Sequence, residues 1–128
     1  MSVTKTHLTT QHQEHAEWVK SLDFYREEIE IIKKRLSEVS SKNTSKEVKM
    51  LVNHFENQCI INAEVIDELK HEIGVYEKEL VRIIEQNAVA IEHKLVKDHS
   101  ELRGKMQVFE KLFGQLRKDF NKFLGEVM

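Results

Sequence analysis

The sequence predicts an all-α protein: an antiparallel up-down-up bundle of three long helices with coiled-coil-like packing. Three observations carry that expectation. The 128 residues include no proline and only four glycines, whereas a β-sandwich needs turn residues every eight to twelve positions or so. Apolar residues make up 40% of the chain and charged residues 33%, enough apolar content to offset the entropy of ordering the backbone. The apolar residues also recur in steps of three and four through three segments separated by two polar breaks. Such a narrow seam, with a period near 3.5, is the pattern of helices packed along their length. The length fits one domain, residues 1–128.

In order, the first helix carries Trp18, Leu22, Tyr25, Ile29, Ile32, Leu36 and Val39, with a cap signal at Thr10 and Gln13. It stops at the polar cluster Ser40-Ser41-Lys42-Asn43-Thr44-Ser45. There Thr44 and Glu47 make a capping-box pair, a hydroxyl for the N3 amide and a carboxylate reaching back, which predicts a helix boundary near residue 44. The second helix reads Val48, Leu51, Phe55, Cys59, Asn62, Ile66, Leu69, Ile73, Tyr76, Leu80 and Ile83. Its two consecutive four-residue steps at Leu51, Phe55 and Cys59 predict a local unwinding of the supercoil. Gly74 costs about 1 kcal/mol relative to alanine but leaves the phase of the seam intact, so one helix of roughly 60 Å is expected. A break at Gly74 would give the alternative, a four-helix bundle, as would a separate short helix at residues 88–97. The second interruption, Gln86 to Ala90, together with an Asp98–Glu101 capping pair, predicts a loop over about 87–98. The third helix carries Leu102, Met106, Phe109, Phe113, Leu116, Phe120, Phe123 and Val127. Short connections make neighbouring helices antiparallel.

Composition excludes several functions. Twenty basic residues face 22 acidic ones, and the densest basic patches, Lys33-Lys34-Arg35 and Arg117-Lys118, have acids nearby. Nucleic acid binding would call for a one-signed stripe that releases counterions. No apolar run is long enough to span a bilayer. A single cysteine, Cys59, and an N-terminus without a secretory leader pattern make a cytoplasmic location the expectation. Cys59 falls in the seam, where a thiol behaves as a small hydrophobe. Phosphate-binding glycine loops, HExxH, GxSxG and paired-cysteine motifs are all missing, so catalysis is not the expectation.

Seven histidines raise the question of a metal ion. His12 and His15 are the candidates, since three-residue spacing puts both imidazoles on one helical face. The plainer reading makes them polar residues at the end of the bundle. Glu68-x-x-His71 matches one half of a di-iron ligand motif whose second copy is missing. His93-x4-Asp98 resembles the last motif of hemerythrin-type oxygen carriers, whose other elements are missing. Antiparallel pairing about residues 42–43 would bring His15 level with residues 70 and 71. Helical phase then turns His71 nearly opposite to the seam at Leu69, Ile73 and Tyr76. Gln58 and Asn62 lie in or beside that seam, where polar groups set register or oligomeric state. His93 and His99 would sit beside His7 if the second connection folds over that end.

The strings His12-x-x-His15-x-x-Trp18, Leu22-x-Phe24-Tyr25, Arg35-Leu36-x-Glu38-Val39, His54-Phe55-x-Asn57-Gln58 and Phe109-Glu110-Lys111 resemble a group of small bacterial helical proteins. The resemblance covers nearly the whole chain and implies no activity or cofactor. The functional expectation is therefore a cytoplasmic interaction or scaffold protein, acting on a protein partner or on a second copy of itself. A metal-binding bundle using His12 and His15 is the alternative, and a bundle holding a lipid or small ligand comes third. Apolar residues on the outer face of the second helix, Met50, Ile60 and Val75, are candidates for a subunit contact.

Overall fold

A computed structural model describes the backbone of residues 2–86 and 92–128, and the side chains of residues 8–83, 85 and 99–128. It contains three helices, α1 (Ser2–Lys42), α2 (Lys46–Gln86) and α3 (Glu92–Val127), packed antiparallel, with no strand among the described residues. α1 lies most extensively against α2, and α3 closes on α2 more than on α1. At 41 residues each, α1 and α2 are about 60 Å long. α2 runs unbroken through Gly74, where an added Cβ would meet nothing within 4 Å. That glycine is exposed, so its cost is local backbone entropy and no tertiary strain. The four-helix alternative is thereby set aside.

The seam is more regular than the sequence suggests. In α2 the buried residue is Val52, at 2% exposure, while Leu51 is 44% exposed. With Val52 in the seam, the steps from Val48 to Ile83 alternate four and three without interruption. The unwinding expected at Leu51, Phe55 and Cys59 is therefore corrected. Both residues are aliphatic, so hydrophobicity alone did not choose between them; continuity of phase with Phe55 and Cys59 does.

Helix ends also differ from expectation. The cap of α2 is Ser45, one residue beyond Thr44: its Oγ accepts from the Val48 amide at 3.5 Å and its carbonyl accepts from Lys49 at 3.1 Å. At the end of α1, Ser41 donates to the Glu38 carbonyl and Asn43 to the Val39 carbonyl. The Val39 carbonyl, one of the last four of α1, thereby gains a side-chain partner. α1 begins well before Thr10, because Leu8 and Gln11, both buried, carry its seam further toward the N-terminus. α3 begins at Glu92, so residues 92–98 of the expected loop are helical, and residues 87–91 lie outside the described residues. The reason is His99. It occupies a seam position and is 4% exposed, so the apolar pattern starts at Leu102 although the helix does not.

The core is strongest in the half of the bundle nearer the α1–α2 turn. Phe55 meets Phe120 and Phe123 at ring separations of 5.7 and 5.1 Å. Tyr25 meets Phe109 and Phe113 at 5.5 and 4.7 Å. Burying each such ring stabilises the fold by about 1.5–3 kcal/mol, with roughly 0.5–1.5 more from edge-on and offset geometry. Arg117 lies 5.4 Å from the Phe113 ring and clasps Glu28 with two hydrogen bonds of 2.8 and 2.6 Å, joining α3 to α1. Along the α1–α2 boundary, Lys70 pairs with Asp23 at 2.6 Å and Arg26 with Asp67 at 2.9 Å. These exposed pairs contribute only about 0.2–1 kcal/mol each, but they mark the register of the two helices.

Candidate functional site

Two features stand out from this frame: a polar layer in the half of the bundle away from the α1–α2 turn, and an apolar groove between α2 and α3. The polar layer arises because seam positions that elsewhere hold leucine or phenylalanine hold Gln11 and His15 in α1 and His99 in α3. All three are buried, at 3–4% exposure. α2 adds Glu77, the neighbour of the seam residue Tyr76 and partly exposed.

The side chains form a chain across all three helices. His12 Nδ1 makes a short contact with Glu77 Oε1, and His15 Nδ1 meets Glu77 Oε2 at 2.7 Å. His15 Nε2 lies 3.1 Å from His99 Nδ1, and His99 Nε2 lies 2.9 Å from Glu14 Oε1. Arg103 then holds Glu14 through two hydrogen bonds, Nε to Oε2 at 2.9 Å and Nη2 to Oε1 at 2.8 Å. The Trp18 ring stacks on His99 at 5.0 Å with an interplanar angle of 21°, closing the layer toward the apolar half. The Arg103 guanidinium lowers the Glu14 carboxyl to about 2, against burial, which raises it. Burial pushes the His99 imidazole below its ordinary value, and the neighbouring Glu14 only partly restores it. Gln11 Nε2 is buried without a hydrogen-bond partner among the described residues.

His12 and His15 therefore do come together, but on a partner that sequence reasoning missed. The antiparallel register lies one heptad further along α2, so Glu77 stands opposite His15 instead of residues 70 and 71. α1 ends at Lys42 and α2 begins at Lys46, so the connection lies beyond 42–43, and placing the turn there selected the wrong layer. Glu68 and His71 are exposed and take no part in the layer. The side chains of His7 and His93 lie outside the described residues. Among the described residues, no group of three or more His, Cys, Asp or Glu side chains is arranged to hold a metal ion.

The groove runs along the face of α2 and α3 and encloses about 960 Å³. Phe55, Leu69, Phe109 and Leu116 form its floor, and Ile61, Val65, Val108 and Leu112 its walls. Each wall residue sits beside a seam position, so the apolar face of both helices is broader here than a two-helix contact requires. Ile61, Val108 and Leu112 are 51–61% exposed. Four acids, Glu68, Glu72, Glu101 and Asp119, stand along the groove with one base, Lys105, and Lys105 is engaged by Glu72 at 2.9 Å. Gln58 and Asn62 also line it. Asn62 donates to the Gln58 carbonyl of its own helix at 2.7 Å, so its polarity is satisfied within α2. From His54 to Glu72 the lining spans about 27 Å of helix. Met50, Ile60 and Val75 are exposed as well but line neither feature.

Cys59 is buried, with its thiol pushed up to about 11, chiefly by desolvation, which leaves little nucleophilic thiolate near neutral pH. No helix among the described residues is long and apolar enough to cross a membrane. The fold defines an all-α three-helix bundle. Comparison with known proteins adds nothing more specific: no family model, no curated protein and no solved structure matches the chain.

Proposed function

We propose that this protein is a cytoplasmic interaction module that seats a basic amphipathic helix of a protein partner in the groove between α2 and α3. The observation that carries the reading is the exposure of Ile61, Val108 and Leu112 along a continuous trough lined by both helices. An amphipathic helix buries its apolar face in such a trough, in the position a fourth helix of a bundle would take. The rim selects the charge of the occupant. Four acids against one already-paired base attract lysines and arginines flanking an apolar stripe. A second copy of the chain, docked groove to groove, would bring two such acidic rims together, which electrostatics disfavours.

The test uses a fluorescein-labelled 18-residue Leu/Lys amphipathic helix and a Leu/Glu peptide with the same apolar face. Anisotropy titration should show saturable binding of the Leu/Lys peptide, weakened by salt, and at least tenfold weaker binding of the Leu/Glu peptide. Leu112→Glu should cost at least tenfold in affinity without changing the circular dichroism of the free protein. Equal affinity for the two peptides, or no loss in Leu112→Glu, would overturn the proposal. Sedimentation of the protein alone covers the other occupant: a dimer that Leu112→Glu dissociates would assign the groove to self-association.

A further inference from the structure

We infer that the polar layer is a proton-operated clasp. The folded chain holds one proton between Glu77 and His15 that completes the hydrogen bonds joining the three helices. Losing it as pH rises loosens the end of the bundle away from the α1–α2 turn. The inference is independent of the groove and rests on a count of hydrogen-bond donors. Three contacts run between the Glu77 and Glu14 carboxylates. Glu77 Oε2 lies 2.7 Å from His15 Nδ1, His15 Nε2 lies 3.1 Å from His99 Nδ1, and His99 Nε2 lies 2.9 Å from Glu14 Oε1. Carboxylates only accept, and a neutral imidazole donates once. Two neutral rings therefore supply two donors for three contacts, and one contact would set acceptor against acceptor. Both rings are buried, where a polar atom left without a partner is costly.

One added proton completes the set. With both nitrogens of His15 protonated, Nδ1–H donates to Glu77, Nε2–H donates to His99 Nδ1, and His99 Nε2–H donates to Glu14. The neighbours decide where that proton resides. From α2 His15 faces Glu77, and from α3 it faces His99, behind which stand Glu14 and Arg103. His12, on the same face of α1, shares Glu77 from the exposed side. Arg103 keeps Glu14 ionised, with its carboxyl at about 2. Burial pushes the His99 imidazole below its ordinary value, which disfavours a charge there. That leaves the contact between Glu77 and His15, where imidazole is the stronger base. A folded chain that binds a proton the unfolded chain lacks loses stability as pH rises. The loss falls above about pH 6.5, where an unfolded imidazole is already mostly neutral. His99 acts in the opposite sense, its lowered value costing stability as pH falls below about 6.5. The layer is therefore tightest near neutrality and weakens on the alkaline side.

The test compares wild type, Glu77→Gln and His12→Ala by urea unfolding between about pH 6.5 and 8, with EDTA present so that no metal ion contributes. Loss of one proton raises the unfolding constant by at most about tenfold per pH unit, and the wild type should show at least threefold. Glutamine brings its own N–H to His15 Nδ1, so all three contacts are made with neutral rings. Glu77→Gln should therefore flatten the profile and be at least as stable as wild type at pH 8. His12→Ala should keep the wild-type slope. In protein labelled with 15N in the histidine rings, one imidazole should carry protons on both nitrogens at pH 7.5, and none should in Glu77→Gln. Equal slopes in wild type and Glu77→Gln, the result for an ordinary ion pair, would overturn the proposal. So would seven neutral rings at pH 7.5, or a slope abolished by His12→Ala, which would put the proton on His12.

Discussion

The two halves of the bundle occupy the same heptad positions with opposite chemistry. Toward the α1–α2 turn the seam layers hold Phe55, Phe109, Phe113, Phe120 and Phe123, all at 5% exposure or less. At the other end, Gln11, His15 and His99 are as well buried, beside a smaller apolar cluster of Leu8, Leu80 and Ile83; hydrogen bonds hold His15 and His99, while Gln11 Nε2 has no partner among the described residues. The comparison separates stability from specificity. Removing apolar surface from water stabilises regardless of exact geometry, whereas a buried polar network stabilises only where every member has a partner. The phenylalanine half is therefore expected to carry most of the folding free energy. The histidine half ties α1 to α3 through Glu14 and Arg103.

The largest expected effect belongs to the apolar half. Phe113 is fully buried, and Phe113→Ala should lower the unfolding free energy by about 3–5 kcal/mol in urea denaturation. Thiol labelling gives a second readout. With its thiol held near 11, native Cys59 should react very slowly at pH 8, and much faster in the Phe113→Ala variant. A loss under 1 kcal/mol would mean that this half is not the stabilising one.

The polar half should show coupling that the apolar half lacks. His99→Leu leaves His15 Nε2 buried without its partner and should cost about 1–3 kcal/mol. Adding His15→Leu removes the orphaned group, so the double variant should be more stable than His99→Leu alone. Strict additivity of the two substitutions, measured by thermal denaturation, would dissolve the proposed network.

A smaller contrast tests the seam. Val52→Ala should cost about 1.5 kcal/mol through the loss of two buried methyl groups, while Leu51→Ala should stay within about 0.5. The reverse ranking would return α2 to the interrupted pattern. The smallest effect is a gain: Gly74→Ala, exposed and free of steric contact, should stabilise by about 0.5–1 kcal/mol.

Much of the fold was legible because helical phase is a property of a single helix. Trp18 through Val39 and Leu102 through Phe123 follow the seam as read, and the continuity of α2 followed from the unchanged phase on either side of Gly74. The misreadings cluster where polarity and helical structure part company. His99 is a core residue without core chemistry, so the start of α3 looked like loop. Leu51 and Val52 are chemically equivalent, so only the phase of their neighbours separates them. His12 and His15 could be singled out by spacing. Their partner Glu77 could not, nor the groove walls Ile61, Val108 and Leu112.

By itself, then, the sequence determined three long helices, their antiparallel order and which stripe of each faces inward, since these follow from periodicity and short connections. Only the tertiary structure decided which heptad of α2 stands opposite which heptad of α1, and with it that Glu77 meets both histidines. It also decided that α2 and α3 leave an apolar trough between them. The physical reason is common to both. Periodicity says which stripe of a helix faces inward, whereas register and the space left between two helices depend on contacts between them, which no single helix contains.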